Sequence, residues 1–173
     1  YAGDRLLVNG MFGPTWRAPQ QWVRLRLLNG CNARILVLRL SDATPLLQIA
    51  NEAGLLAAPW PRSALTLAPG ERAEVLVNFG LARSGQVTRL LASTAGGGMG
   101  MGMGSGMGTG SETEVTALTM RVDRPSQPGA MASPPTRLSP AAAISAGPGA
   151  TVRTFSLDGG MMGSPFTING RRF

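Results

Sequence analysis

Histidine and lysine are absent from the sequence, and cysteine occurs once. Without histidine, the chain holds no Ser-His-Asp or Cys-His catalytic arrangement, and it lacks the usual imidazole ligands of zinc, copper and non-haem iron. Without lysine, it holds no phosphate-binding loop of the Walker type. The single cysteine, Cys31, excludes a disulfide within the chain. The sequence therefore carries no standard catalytic constellation.

Long apolar runs and aromatic residues are also scarce. No segment approaches the roughly 18 apolar residues that a membrane-spanning helix needs, and no basic-then-apolar leader opens the chain. The 16 basic residues are all arginine and are spread evenly along the sequence, and aromatic residues make up only 5% of it. A nucleic-acid binder groups its basic residues around stacking aromatics, so the net charge of +7 does not favour nucleic acid as a partner. The first residue, Tyr1, indicates a piece of a longer protein.

Apolar and polar residues alternate in much of the chain. A period of two runs through residues 23–27, 36–40, 73–79, 87–92 and 115–122. Turn-forming pairs such as Asn9-Gly10 and Asn29-Gly30 separate these segments. The pattern predicts an antiparallel β-sandwich or barrel and no helix of ordinary length. With 43% hydrophobic residues over 173 positions, the chain is long and apolar enough to bury a core.

The second half of the chain changes character after residue 122. Residues 123–150 are rich in proline, alanine and serine, which predicts an extended linker that crosses the surface. Residues 152–157 then read as a new strand. The segments LLVNGMF (6–12) and FTINGRRF (166–173) both place apolar residues before Asn-Gly. This echo indicates that a second, similar domain begins near the end of the chain.

Two longer segments carry a family resemblance. WVRLRLLNGCNARILVLRLSDATPLLQIANEAGLL (22–56) and LAPGERAEVLVNF (67–79) resemble the middle cupredoxin-like domain of three-domain multicopper oxidases, particularly bacterial cuprous oxidases, copper-resistance oxidases and laccase-like enzymes. GDRLLVNG resembles the start of that domain, and FTINGRRF resembles the start of the third. The resemblance implies an all-β, cupredoxin-like Greek-key sandwich. It divides the chain into a middle domain (1–122), a linker (123–150) and a truncated start of the third domain (151–173).

The resemblance also implies a function for the parent protein. Such an enzyme couples one-electron oxidation of Cu(I) or a phenolic substrate to the four-electron reduction of dioxygen to water in the periplasm. Its four copper ions are held by motifs of the first and third domains, which this chain does not contain. The chain would then be structural and inactive alone, with no catalytic or cofactor-binding residues and with the flanking cupredoxin domains as its partners. The alternative is a copper-free scaffold of the cell-division type.

Methionine is concentrated in two segments, which are candidate Cu(I) sites if the parent is a cuprous oxidase. Thioether sulfur is a soft ligand that selects Cu(I). The repeat GGGMGMGMGSGMGTG (96–110) lies between two predicted strands, and glycine lets its methionines converge on one ion. A low-complexity loop without a ligand, a contact with a partner or membrane, and a Cu(I)-buffering module are the alternatives. SLDGGMMGSPF resembles a remnant of the substrate-copper site early in the third domain. The candidate metal ligands are Asp158, Met161, Met162, Met99, Met101, Met103 and Met107.

Three other groups of residues have a structural and a functional interpretation. Cys31 could be a copper thiolate, but a blue site also needs two imidazoles, so a packed cysteine is favoured. Arg24, Arg26 and Arg34 could bind an anion. Ion pairs with nearby carboxylates or contacts with backbone carbonyls are favoured for them instead, the candidate carboxylates being Asp42, Glu71 and Glu74. Asp42 and Glu52 could form an acid–base pair, although nothing in the sequence indicates a cleft around them.

Overall fold

The structure is a computed structural model that describes residues 5–94, 114–140, 145–159 and 165–172. These residues form strands, turns and irregular segments, and no helix among them could cross a membrane. The chain divides into two compact units, Tyr1–Ala141 and Ala142–Phe173. The strands are β1 (Leu7–Val8), β2 (Met11–Phe12), β3 (Thr15–Pro19), β4 (Trp22–Leu28), β5 (Leu36–Leu40), β6 (Leu46–Asn51), β7 (Gly54–Arg62), β8 (Leu65–Leu67), β9 (Arg72–Asn78), β10 (Gln86–Thr94), β11 (Val115–Arg124), β12 (Leu157–Asp158) and β13 (Thr167–Ile168).

The first unit is a two-layer β-sandwich. One layer is a five-stranded sheet in the order β3-β11-β10-β5-β8, and the other is a four-stranded sheet in the order β4-β9-β6-β7. All pairs are antiparallel except one, because β3 runs parallel to β11 with Arg17 opposite Arg121. The predicted all-β sandwich is confirmed, and its first long strand pairs with its last.

The core lies between the two sheets and is built by the predicted alternation. Val75 and Val77 of β9 face it from the four-stranded sheet, while Leu40 of β5 and Met120 of β11 face it from the other. Each of these side chains is almost fully buried, and their polar neighbours in sequence point away. Burial of such side chains contributes about 1.5–3 kcal/mol each. Trp16 closes one region of the core by an edge contact with Phe79, at 6.4 Å between ring centroids.

Each unit contains a tight hairpin with an Asn-Gly turn. In the first unit, β1 and β2 flank Asn9 and Gly10, whose φ angles are 51° and 79°. In the second unit, Asn169 and Gly170 have φ angles of 51° and 74°, and Ile168 bridges to Arg171. Positive φ at both central residues is the requirement of a type I′ turn, whose twist matches that of the flanking strands. The sequence echo is thus also a repeat of backbone geometry.

Residues 125–140 form no strand and follow β11. Gln127 donates its amide to the Gln21 side chain at 2.8 Å, beside the start of β4. Leu138 donates its amide to the Ala57 carbonyl of β7 at 2.9 Å. These bonds lie at the two opposite edge strands of the four-stranded sheet, so this segment runs from one edge to the other. The predicted boundaries at residues 122 and 150 stay a prediction.

The strand predicted at residues 152–157 is largely wrong. Only Leu157 and Asp158 pair, with Ile168 and Thr167 of β13. Residues 152–156 are exposed and have no strand partner among the described residues. Alternation gives a segment two faces, but a strand also needs a neighbour for its backbone groups.

Candidate functional site

The predicted site around Asp158 is only partly within the described residues. Asp158 ends β12 opposite Thr167, is exposed, and accepts a hydrogen bond from the Ser156 hydroxyl at 2.9 Å. Gly159 follows with φ of 126°, and a Cβ there would collide with the backbone carbonyl of Pro165. The turn after Asp158 therefore requires glycine. Met161 and Met162 lie outside the described residues, so their proposed convergence with Asp158 stays a prediction.

The methionine repeat also lies outside the described residues, which applies to Met99, Met101, Met103 and Met107. The strands on either side are described and pair as neighbours. β10 is antiparallel to β11, with Ala92 opposite Val115. The repeat therefore connects two central strands of the five-stranded sheet, as the sequence predicts. Copper binding by its sulfurs stays a prediction.

The donor atoms of the described residues do not fit a resident copper centre. No group of three or more histidine, cysteine, aspartate or glutamate side chains converges in that part of the chain. A blue copper site needs two imidazoles and a thiolate, and the whole sequence lacks histidine. Cys31 is half-buried and packs against the core. Its interpretation as a packed residue is confirmed.

The NGCNAR segment owes its shape to Asn29, which sequence reasoning did not single out. Its side chain is 1% exposed. The amide nitrogen donates to the carbonyls of Arg34 and Leu67, both at 2.8 Å, and the amide oxygen accepts from the backbone of Cys31 at 3.0 Å. One of these hydrogen bonds joins the loop after β4 to the end of β8, and the other two hold the loop itself together. A buried asparagine must be satisfied in this way, and its position before glycine resembles an ordinary turn signal.

Arg24 and Arg26 form the predicted ion pairs. The Arg24 Nε donates to Glu74 Oε2 at 2.7 Å, and the Arg26 Nε lies 3.3 Å from Glu74 Oε1. Glu71 instead accepts the backbone amide of Ala68. Exposed pairs of this kind contribute at most about 1 kcal/mol, so the arrangement on β4 and β9 is structural.

Asp42 and Glu52 have separate hydrogen-bond partners, Thr44 and Thr88 for the first and Arg72 for the second. Burial raises the pKa of Asp42. Hydrogen bonds from the Thr88 hydroxyl at 2.6 Å and the Thr44 amide at 3.1 Å lower this pKa by more in total, so the net pKa is below its ordinary value. Glu52 accepts hydrogen bonds from the Arg72 side chain and backbone amide, which lower the pKa of Glu52 and raise that of Arg72. Both carboxyls therefore stay ionised at neutral pH, unlike a general acid.

A cleft of about 820 Å³ in the first unit lies between β1, β4 and the five-stranded sheet. Its walls are mainly leucine, with Leu25 and Leu27 from β4 and Leu36 and Leu38 from β5. Its ionisable side chains are arginines and Cys31. Arginine stays protonated and supplies no general base. This cleft therefore offers a largely apolar surface whose lining includes no carboxylate.

No protein-family model matches the sequence. Over 79 residues the chain is 53% identical to the cell division protein FtsP of Dickeya dadantii, a match that covers 46% of this chain and 17% of that protein. A solved structure of the bacterial laccase-like multicopper oxidase CueO from Ochrobactrum sp. is 32% identical, with a TM-score of 0.77, and the match covers 100% of this chain and 38% of that one.

The McoA multicopper oxidase of Aquifex aeolicus is similar to the same degree. Its structure is 32% identical, with a TM-score of 0.78, over 98% of this chain and 34% of that one. The chain therefore spans well under half the length of the proteins it matches. The cupredoxin-like fold predicted from the sequence is confirmed by these neighbours. The relatives fall into two groups, oxidases and cell-division proteins, which differ in their described roles.

Proposed function

We propose that this chain is a copper-free cupredoxin-like sandwich of a larger multicopper oxidase. The parent oxidises Cu(I) or a phenolic substrate one electron at a time and reduces dioxygen to water. The observation that carries the proposal is the extent of the oxidase match, which covers 100% of the chain and includes both compact units. The Ochrobactrum enzyme is described as active towards lignin model compounds, which supports a phenolic substrate as one option.

Within that parent, the first unit acts as a spacer and wall for neighbouring cupredoxin domains. Its own side chains are used for structure: Asn29 joins β8 to the loop after β4, and Glu74 pairs with arginines of β4. The copper ions would be held by residues outside this chain, because the donor set here does not fit them. We place the parent in the periplasm on the strength of the oxidase resemblance.

The two methionine segments would deliver substrate rather than hold a resident metal. Thioether sulfur and one carboxylate suit a transient Cu(I) site, because a soft ligand binds Cu(I) without histidine. Asp158, Met161 and Met162 would form one such site and the 96–110 repeat another. This role depends on the parent being a cuprous oxidase rather than a phenol oxidase.

A Cu(I) titration against a competing chelator tests the methionine role. Replacing Met99, Met101, Met103 and Met107 by leucine keeps the apolar volume and removes the sulfur, so Cu(I) binding is expected to fall. Met11→Leu is the matched control, because Met11 is an exposed methionine on β2 outside both segments. Unchanged affinity in the quadruple variant would reject the repeat as a ligand. The same titration on Met161→Leu/Met162→Leu tests the second segment.

The parent's activity is tested on the longer protein that contains this chain. Purified after copper loading, it is expected to contain stoichiometric copper and to consume dioxygen when Cu(I) or a phenol is added. Absence of both copper and oxygen uptake in a folded preparation would overturn the oxidase proposal.

A second candidate is a copper-free scaffold in cell division. The observation that favours it is the 53% identity to FtsP of Dickeya dadantii over 79 residues, which exceeds the identity to the oxidases. That match covers less than half of this chain. The measurement of copper content and oxygen uptake separates the two candidates, because a scaffold would fold without copper. Deletion of the gene separates them as well: loss of a scaffold would cause a division defect, and loss of a cuprous oxidase would cause copper sensitivity.

A further inference from the structure

Arginines that are far apart in the sequence form a row on the outer face of the five-stranded sheet. Arg17 lies on β3, Arg121 on β11, Arg89 on β10 and Arg39 on β5, which are four neighbouring strands. Arg17 is directly opposite Arg121. Arg89 is opposite Thr119, one diagonal step from Arg121, and Arg39 is opposite Leu91, one diagonal step from Arg89. These arginines are not grouped in the sequence, so the sequence alone does not indicate the row.

The row is exposed and has the dimensions of an extended peptide. The side chains of Arg17, Arg121 and Arg39 are 67%, 57% and 44% exposed. Neighbouring strands are about 4.8 Å apart, and each of the two diagonal steps also advances two residues, about 6.8 Å, along the strands, so the first and last arginine lie roughly 20 Å from each other. An extended chain covers that distance in about six residues. Alternate side chains of such a segment would lie over successive arginines.

Among the described residues, two carboxylates pair with the arginines of this row, which number four. Asp123 serves both Arg17 and Arg121, at 2.9 Å and 3.5 Å. Glu114 pairs with Arg39 at 2.7 Å. Arg89 has no carboxylate within ion-pair distance in the described part of the chain. Arg17 and Arg121 lie directly opposite each other, and Asp123 between them offsets one of their two positive charges, so this end of the row keeps a net positive charge.

The chemistry of the face favours carboxylates as its ligands. Guanidinium groups bind carboxylates through two parallel hydrogen bonds, and the Arg39–Glu114 pair already has this form, with both distances at 2.7 Å. The other outward residues here, such as Thr15, Thr119 and Val87, are small and provide no aromatic ring. Single-stranded nucleic acid is held by stacking on aromatic side chains, so the face lacks what that ligand needs.

We propose that the arginine row of Arg17, Arg121, Arg89 and Arg39 is a docking surface for an acidic segment of a partner protein. The segment lies across the strands of the five-stranded sheet and presents glutamate or aspartate side chains to the row. This inference is independent of the parent's activity, since an oxidase and a scaffold would carry the same face.

Two double variants test the proposal with matched loss of charge. Arg17→Gln/Arg121→Gln removes two positive charges from the row and leaves Asp123 without its ion pairs. Arg24→Gln/Arg26→Gln removes two positive charges from the opposite sheet and leaves Glu74 unpaired. The two carboxylates are matched, with side chains 19% and 18% exposed. Arg89→Gln is a third variant that breaks no ion pair among the described residues, so it reports on binding without a change in stability.

The probe is a short poly-L-glutamate peptide, with binding measured by titration at low ionic strength. Arg17→Gln/Arg121→Gln is expected to weaken binding about five- to tenfold and Arg89→Gln about two- to threefold, while Arg24→Gln/Arg26→Gln has less than about a twofold effect. In the unmodified chain of 18.0 kDa, amide resonances of β3, β10 and β11 are expected to shift on binding, and those of β4 and β9 are not.

Equal losses in the two double variants would overturn the proposal, because binding would then follow net charge alone. Resonance shifts confined to the four-stranded sheet would overturn it as well. A single-stranded oligonucleotide that binds the row more tightly than polyglutamate would reject the assignment to an acidic protein segment. Unfolding curves of all variants are recorded first. If a double variant does not fold, binding by Arg89→Gln is compared with binding by the unmodified chain instead.

Discussion

At the scale of single residues, the buried polar side chains hold distant parts of the chain together, whereas the exposed ion pairs contribute little to stability. Asn29 and Thr88 are the buried polar side chains of the described residues, each 1% exposed. Each one joins elements distant in sequence: Asn29 reaches β8, and Thr88 reaches Asp42 after β5. A buried polar group that loses its hydrogen-bond partner destabilises the fold by more than the intact hydrogen bond stabilises it. The sequence does not distinguish these residues from ordinary turn and strand residues.

Asn29→Ala is expected to lower the free energy of unfolding by about 2–3 kcal/mol, because it removes three hydrogen bonds, one of them the buried bond to the Leu67 carbonyl. Asn32→Ala is the control, since Asn32 is an exposed asparagine of the same loop. Urea denaturation followed by circular dichroism measures both. Equal effects of the two substitutions would mean that the buried amide does not hold the loop.

The low pKa of Asp42 predicts a defined loss of stability in acid. A carboxyl whose pKa is lower in the folded state stabilises the fold above its ordinary pKa of 3.8, and this contribution disappears as the pH falls through the folded-state value. Asp42→Asn removes that contribution. The difference in unfolding free energy between wild type and variant is therefore expected to shrink from about pH 5 towards pH 2.5. Urea titrations across this range measure it, and parallel curves would contradict the prediction.

At the scale of elements, alternation predicted the strands that have one face in the core. β4, β5, β9, β10 and β11 all lie where the period of two indicated. No such period of two marks β3, β6, β7 or β8 in the sequence. β8 has only three residues and β7 contains two prolines, so neither shows a long alternating pattern. β3 depends on pairing with β11, a partner that local sequence cannot reveal.

Substitution of the turn glycine of the first hairpin is expected to destabilise the fold only through the positive φ angle of its backbone. Gly10 has φ of 79°, and a Cβ there would meet nothing within 4 Å. Gly10→Ala is therefore expected to cost about 1 kcal/mol from the left-handed backbone and nothing from packing. Gly30→Ala is the control, because that position is equally open and lacks a positive φ. Denaturation midpoints compare the two, and an equal cost would exclude backbone strain as the cause.

At the scale of the whole molecule, the sequence predicted the sandwich and the repeat but not which distant residues would become neighbours. The arginine row is the main example, because four residues with no local grouping are aligned by strand order and register. The candidate copper ligands are the opposite case. They were grouped in the sequence, and of them only Asp158 falls within the described residues, on the exposed end of β12.

The extent of the first compact unit predicts which truncation folds. A chain of residues 1–141 contains both sheets of the sandwich and is expected to unfold in one cooperative transition. A chain of residues 1–113 lacks β11, which lies between β3 and β10, and is expected to remain unfolded or to aggregate. Thermal unfolding by circular dichroism separates the two. A cooperative transition in the shorter chain would show that the β3–β11 pairing is dispensable.

The parallel pairing of β3 with β11 sets an order of events during synthesis. Arg17 must wait for Asp123, 106 positions later, which corresponds to roughly 5–20 s of translation. The edge of β10 that later holds β11 is open only from the synthesis of β10 until β11 has been made, and open edges promote association. The segment made next is the glycine–methionine repeat, and glycine has a low tendency to enter a strand. A glycine-rich segment at this place is therefore a poor competitor of β11 for the edge of β10.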